Sequence, residues 1–213
     1  FVDYPELAFL LFNTQVPDDM VTPSNEKIPE GSGSTGGSGD TDPEPGTFEK
    51  TAVLVTDPST LRVGEQIIIV ASDYDVALST IQNNNNRGVA GITKSEDKTT
   101  VIFDDDTQII TLEAGSVGGT MAFSVGEGSY LYAASSSKNY LRTTTTLDAN
   151  ASWNITISDG VASILAAGSY SRNDLRYNTA GLFSCYGSGN TQKSVSIYKV
   201  NAGACGENLI WVL

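Results

Sequence analysis

Short apolar or alternating stretches, each fenced by Gly, Asn, Asp or Ser, recur along the chain from Ala52 to Val200. Runs of that kind between turn residues read as β-strands. The pattern predicts strands over 52–56, 66–71, 108–112, 120–125, 130–134, 153–158, 163–167, 183–186 and 195–200. In the sixth of these, Trp153, Ile155 and Ile157 fall on one face, because successive side chains alternate across a strand. In the last, Val195 and Ile197 share one face, while Tyr198 and Val200 share the other. Only 76–82 has a helical look, and it is too short to stand alone. The fold class is all-β.

Three stretches resemble one another. Each is a strand end carrying Ala, then a polar turn, then a Leu that leads into a further β-former. Ala71 to Leu78 and Ala134 to Leu141 are seven apart, and Ala167 to Leu175 is eight. The repeat predicts hairpins whose leucines return to the core, and hence a single closed barrel of approximate threefold symmetry, β-trefoil-like. The copies are spaced 63 and then 33 residues apart, so a β-sandwich stays open as the alternative. The core is expected to gather Trp153, Ile155 and Ile157 with Leu131, Leu141, Leu175 and Ile197.

Composition divides the chain. Residues 31–46, GSGSTGGSGDTDPEPG, offer nothing apolar to bury and read as a flexible linker. Residues 1–30 hold one apolar run, Leu7 to Phe12, and read as an extended segment or the remnant of a preceding domain. Residues 47–201 form the all-β module, and 202–213 read as the start of a following module. The sequence begins at Phe1 without Met or a signal peptide, which reads as a processed or excised form.

Charge and chemistry narrow the function. The chain has no histidine, which excludes imidazole as catalytic base or metal ligand. Its net charge is −13, with nine acids and one base in residues 1–46, so binding to nucleic acid or to an anionic membrane surface is not expected. No stretch is long and apolar enough to span a membrane. Uncharged polar residues fill the surface: 23 Ser, 22 Thr and 14 Asn. The acidic triplet Asp104 to Asp106 reads as a solvated turn rather than a Ca²⁺ loop, and Asn83 to Asn86 reads as a polar turn. No phosphate loop, metal set or cofactor motif is present, and no cofactor is expected.

Tyrosines and arginines crowd into two of the hairpins. Tyr140, Arg142, Arg172, Asn173, Arg176 and Tyr177 are the candidate ligand-binding residues, since aromatic faces beside planar polar groups suit sugars. The competing reading makes them core fillers and braces. Arg142 and Arg176 each follow a core Leu, and Tyr140 and Tyr177 flank the Leu-Arg pairs, so a repeated site for an uncharged sugar is expected. Cys185 and Cys205 are the two cysteines; a disulfide between them and two unpaired thiols both remain open.

Four separated segments, YLYAASSSKNYLRT (130–143), ASWNITI (151–157), RNDLRYN (172–178) and LFSCY (182–186), with DPSTLRVGEQIII (57–69) before them, resemble the all-β accessory modules of secreted and surface proteins of gut Bacteroidetes and Firmicutes. The resemblance implies no catalytic residue and no known ligand. The final ACGENLIWVL (204–213) resembles the segment that opens leucine-rich-repeat regions of BspA-like surface proteins, which implies that Cys205 belongs to the next module. Together these readings predict a non-catalytic extracellular or cell-surface β-module for attachment or display, with a glycan or another cell-surface component as partner. A carboxylate-based glycan hydrolase and a purely structural spacer are the alternatives.

Overall fold

The computed structural model describes residues 50–201. The N-terminal segment, the linker over 31–46, the final segment over 202–213 and Cys205 lie outside the described residues.

Those residues are all-β, with fifteen strands in one hydrogen-bonded sheet. A lead strand β1 (Lys50–Leu54) precedes three successive sets of four. The first set opens with β2 (Gln66–Ala71), β3 (Val76–Asn83) and β4 (Asn86–Gly91). A short pair, β5 (Thr93–Lys94) and β6 (Thr100–Phe103), intervenes before its fourth strand, β7 (Ile110–Ala114). The second set is β8 (Met121–Ser124), β9 (Tyr130–Ala133), β10 (Leu141–Thr144) and β11 (Ser152–Ser158). The third is β12 (Val161–Ala166), β13 (Asp174–Asn178), β14 (Leu182–Tyr186) and β15 (Val195–Val200).

The first and fourth strands of the sets join in sequence. β2 pairs with β7, β7 with β8, β8 with β11 and β11 with β12. A single residue pair, Ala162 with Val195, links β12 to β15, and β15 returns to β2. The second and third strands form the hairpins β3–β4, β9–β10 and β13–β14. β4 pairs with β14, and β10 lies against both. The uneven 63- and 33-residue spacing has two sources. One is the β5–β6 insertion, which pairs with β1 outside the ring. The other is a shift in which strands the repeat aligned: Leu78 and Leu175 lie on the second strands of their sets, β3 and β13, whereas Leu141 lies on the third, β10.

One apolar cluster fills the space enclosed by the sets. Leu78, Leu131, Leu141, Leu175, Val195, Ile197 and Trp153 all belong to it and are buried, with Ile155 and Ile157 packed against it. Burying each such aliphatic side chain contributes roughly 1.5–3 kcal/mol relative to exposure. Trp153 stacks on Phe123 with centroids 5.4 Å apart, and its indole nitrogen donates to the Leu131 carbonyl at 3.2 Å. The other face of β15 and β2 builds a second cluster: Tyr198, Ile68 and Val70 meet Ala52, Val101 and Phe103 from β1 and β6.

Residues 76–82 are strand, not helix. Val70 pairs with Ala77 and Leu78 with Val89, so neighbouring strands on both sides satisfy a backbone that its own length could not. Lys94 secures the preceding turn, donating to the carbonyls of Ala71, Ser72 and Tyr74 at 2.9, 3.1 and 2.7 Å. Asp104 to Asp106 form the exposed turn before β7, where Asp104 accepts from the Asp106 amide at 3.1 Å.

Candidate functional site

The site is built where the first hairpin meets the second. Asn83 and Asn86 pair at the end of β3–β4, so Asn84 and Asn85 form the two-residue tip. Asn84 takes a positive φ of 56°, which asparagine tolerates better than most residues. The Asn85 carbonyl accepts the Leu141 amide at 2.9 Å, and Gln82 Nε2 donates to the Leu141 carbonyl at 3.2 Å. The start of β10 is therefore pinned from both sides. The Asn86 amide, turned with its nitrogen inward, donates to the Asn139 carbonyl at 2.8 Å and lies 2.6 Å from Ser184 Oγ, which brings in the third hairpin.

On this pinned strand Leu141 points into the core, and its neighbours Tyr140 and Arg142 point the other way. The Arg142 guanidinium lies over the Tyr140 ring, 5.1 Å from its centroid, and Nη2 donates to Asn85 Oδ1. Arg142 Nε is buried with no partner among the described residues. Tyr132 stands opposite Arg142 across β9–β10, half-buried, with Tyr130 two residues back on the same face. Tyr130 donates its hydroxyl to Glu113 at 2.9 Å, and that bond to a carboxylate raises the phenol above its usual range. The face thus offers three half-exposed tyrosines and a guanidinium whose orientation is fixed before any ligand arrives.

Arg172 lies on the loop after β12, half-buried, and has no carboxylate partner among the described residues. Its loop touches the β9–β10 loop, where Ser171 Oγ donates to the Ser136 carbonyl at 2.7 Å. The remaining candidates lie elsewhere. Asn173 clasps its own turn: Nδ2 donates to the Ala166 carbonyl at 3.2 Å, and its carbonyl accepts the Ala166 amide. Arg176 Nε donates to both Asp174 oxygens, at 2.8 and 2.9 Å, so that guanidinium is engaged. Tyr177 is 6% exposed and packs between Tyr74 and Phe183, with centroids 5.2 and 5.3 Å away. Its place two residues after Leu175 puts it on the core face, not beside a surface arginine. Arg142 and Arg176 occupy different strands of their sets and do not form a repeated pair.

Asn83 to Asn86, a polar turn by sequence, also orients Arg142 through Asn85, and Gln82 joins it in holding Leu141. The four successive asparagines were the visible signal for the tip that orients Arg142. Cys185 is fully buried on β14, with no sulfur partner among the described residues; burial pushes its thiol far above the usual range and leaves it unreactive.

No protein-family model matches the chain, and no curated protein does. Solved structures are similar at low identity. A GlcNAcα1-4Gal-releasing endo-β-galactosidase from Clostridium perfringens is 16% identical over 64% of this chain and 33% of its own, with a TM-score of 0.48. The BEL β-trefoil is 15% identical over 68% of this chain and 99% of its own, also at 0.48. The Polyporus squamosus lectin, bound to a Neu5Acα2-6Galβ1-4GlcNAc epitope, is 14% identical over 66% of this chain and 50% of its own, at 0.46. This chain spans about a third of the endo-β-galactosidase. At these values the likenesses assign neither a fold nor a ligand.

Proposed function

We propose that the chain is a non-catalytic glycan-binding module of β-trefoil type, displayed outside the cell or on its surface, and that the outer face of β9–β10 is its binding site. The order of pairing supports the fold assignment: three sets of four strands give six ring strands and three cap hairpins. The observation that carries the function is the Arg142–Tyr140 stack, held by Asn85 beside the half-buried Tyr132. A sugar ring presents an apolar face for tyrosine and hydroxyls for a guanidinium or an amide. Sites fixed in advance lose less freedom on binding, so the stack favours a ligand role over an idle surface. The surface and gut-bacterial setting rests on the sequence resemblance over about residues 50–200.

A printed glycan array probed with the purified chain tests the reading. Reproducible binding that Tyr140→Ala and Tyr132→Ala each weaken, at unchanged melting temperature, is the expected result. Binding that survives both substitutions would place the site elsewhere, and turnover of a bound glycan would replace the module with an enzyme.

A further inference from the structure

The charge around the Arg142 face runs against the rest of the chain. The sequence carries a net charge of −13, yet residues 128–147 contain no acid and two bases, Lys138 and Arg142. Residues 160–173 likewise contain no acid and one base, Arg172. These two stretches supply the β9–β10 hairpin and the loop that Ser136 and Ser171 bond to it. Of the surrounding acids, Asp174 is taken by Arg176 and by Asn190, whose Nδ2 lies 3.1 Å from it, while Glu113 accepts from Tyr130 at the far end of the face.

Of the arginines described, Arg142 is the one whose guanidinium lies over an aromatic ring. Arg62 donates to the Ser59 and Leu61 carbonyls, Arg87 is buried against Gln108, and Arg176 is salt-bridged. Arg142 makes no ion pair among the described residues, and the Arg172 guanidinium lies against Gly187. For Arg142, the ring of Tyr140 and the Asn85 amide oxygen set the plane of the guanidinium without neutralising it. With Nε buried and Nη2 held by Asn85, this positive, oriented group without a counter-charge leaves Nη1 to donate to an oxyanion in a charge-assisted bond.

Resting on the reading above, we propose that the glycan taken by the β9–β10 face carries a carboxylate, as in a uronic or sialic acid unit, and that Arg142 receives it while Tyr132 and Tyr140 hold the ring. This departs from the uncharged sugar expected from composition, because composition averages over a surface on which these two stretches carry no acid. Only the second set of strands carries this arrangement, since Tyr177 is core and Arg176 is engaged, so one ligand binds per chain despite the threefold strand order.

The test uses the native chain with a panel of uronic-acid and sialic-acid oligosaccharides, the same oligosaccharides with their carboxyl groups reduced to alcohols, and sulfated counterparts. Expected are binding to carboxylated members with a stoichiometry of one, a loss of roughly tenfold or more on carboxyl reduction, and weakening by added salt. Arg142→Lys should lose affinity as well, because it keeps the charge but not the planar group that Tyr140 and Asn85 orient. Equal binding of acid and reduced forms would overturn the inference and leave the glycan-binding reading standing. Preference for the sulfated forms would overturn the carboxylate assignment. Binding to no member of the panel, nor to neutral glycans, would remove both. The comparison of acid and reduced ligand needs no variant, so it decides even if Arg142→Lys folds poorly.

Discussion

Arg87 on β4 stands directly across from Phe183 on β14, a guanidinium opposite a phenyl ring inside the cap of the three hairpins. The third strand of the second set opens with Leu141, also fully buried. Two sets therefore bring apolar residues to this junction where the first brings a cation, 4% exposed. Desolvation lowers the Arg87 pKa to about 10, no carboxylate offsets it, and Nε lacks a partner among the described residues. Among the described residues its one side-chain bond goes to Gln108. The buried polar pair is expected to cost stability rather than supply it. The double substitution Arg87→Met with Gln108→Met should therefore leave the denaturant midpoint unchanged or raised. Arg87→Ala alone, which opens a cavity and orphans the Gln108 side-chain oxygen, should lower the midpoint, at a cost of about 2–3 kcal/mol in unfolding free energy.

Trp153 anchors the main cluster. Its face meets Phe123, its edge meets the Leu131 carbonyl, and it has no exposed surface. Trp153→Ala should cost about 3–5 kcal/mol in equilibrium unfolding. A cost below about 1 kcal/mol would place the indole outside the core.

Acid stability should track Asp97. The Ser95 hydroxyl, then the Thr99 amide and hydroxyl, hold its carboxylate at a pKa of about 2, below the usual 3.8. The folded state thus holds the proton less tightly than the unfolded state. The contribution is complete above about pH 4 and disappears as pH falls toward 2. Glu65, lowered by its bond to Lys199, adds in the same direction. Melting temperatures between pH 2 and 6 should fall with acid, and less steeply in Asp97→Asn.

The sequence exposed the strands better than their grouping. Residues 66–71 and 195–200 coincide with β2 and β15, because an unbroken apolar run and a clean alternation each mark their own ends. The two faces of 195–200 do serve two clusters. The repeat was visible but misaligned, since Ala, turn and Leu recur both between first and second strands and between second and third. β3 was missed because its stability comes from β2 and β4, not from its own pattern. At the site, period two separates Tyr140 from Tyr177: one residue from a core Leu gives the outer face, two residues gives the core. No local pattern could show that Asn85, 57 residues before Arg142, holds its guanidinium.

Asn85 acts by position. Asn85→Ala keeps the backbone carbonyl that accepts from Leu141 but frees Arg142 from its side-chain anchor. Glycan affinity should fall severalfold with the melting temperature nearly unchanged, whereas Asn85→Asp, which neutralises the guanidinium, should abolish binding of carboxylated glycans. Isothermal titration beside thermal melting checks both.

If the β9–β10 face is the glycan site, a bound ligand perturbs it residue by residue. Amide chemical-shift mapping by NMR, with a carboxylated array hit titrated into the native chain, tests it most directly. Expected are saturable shifts clustered at Asn85, Tyr130 to Tyr132 and Tyr140 to Arg142, extending to Ser171 and Arg172. Shifts concentrated instead on β13–β14 or β1–β15, with those residues unmoved, would contradict it.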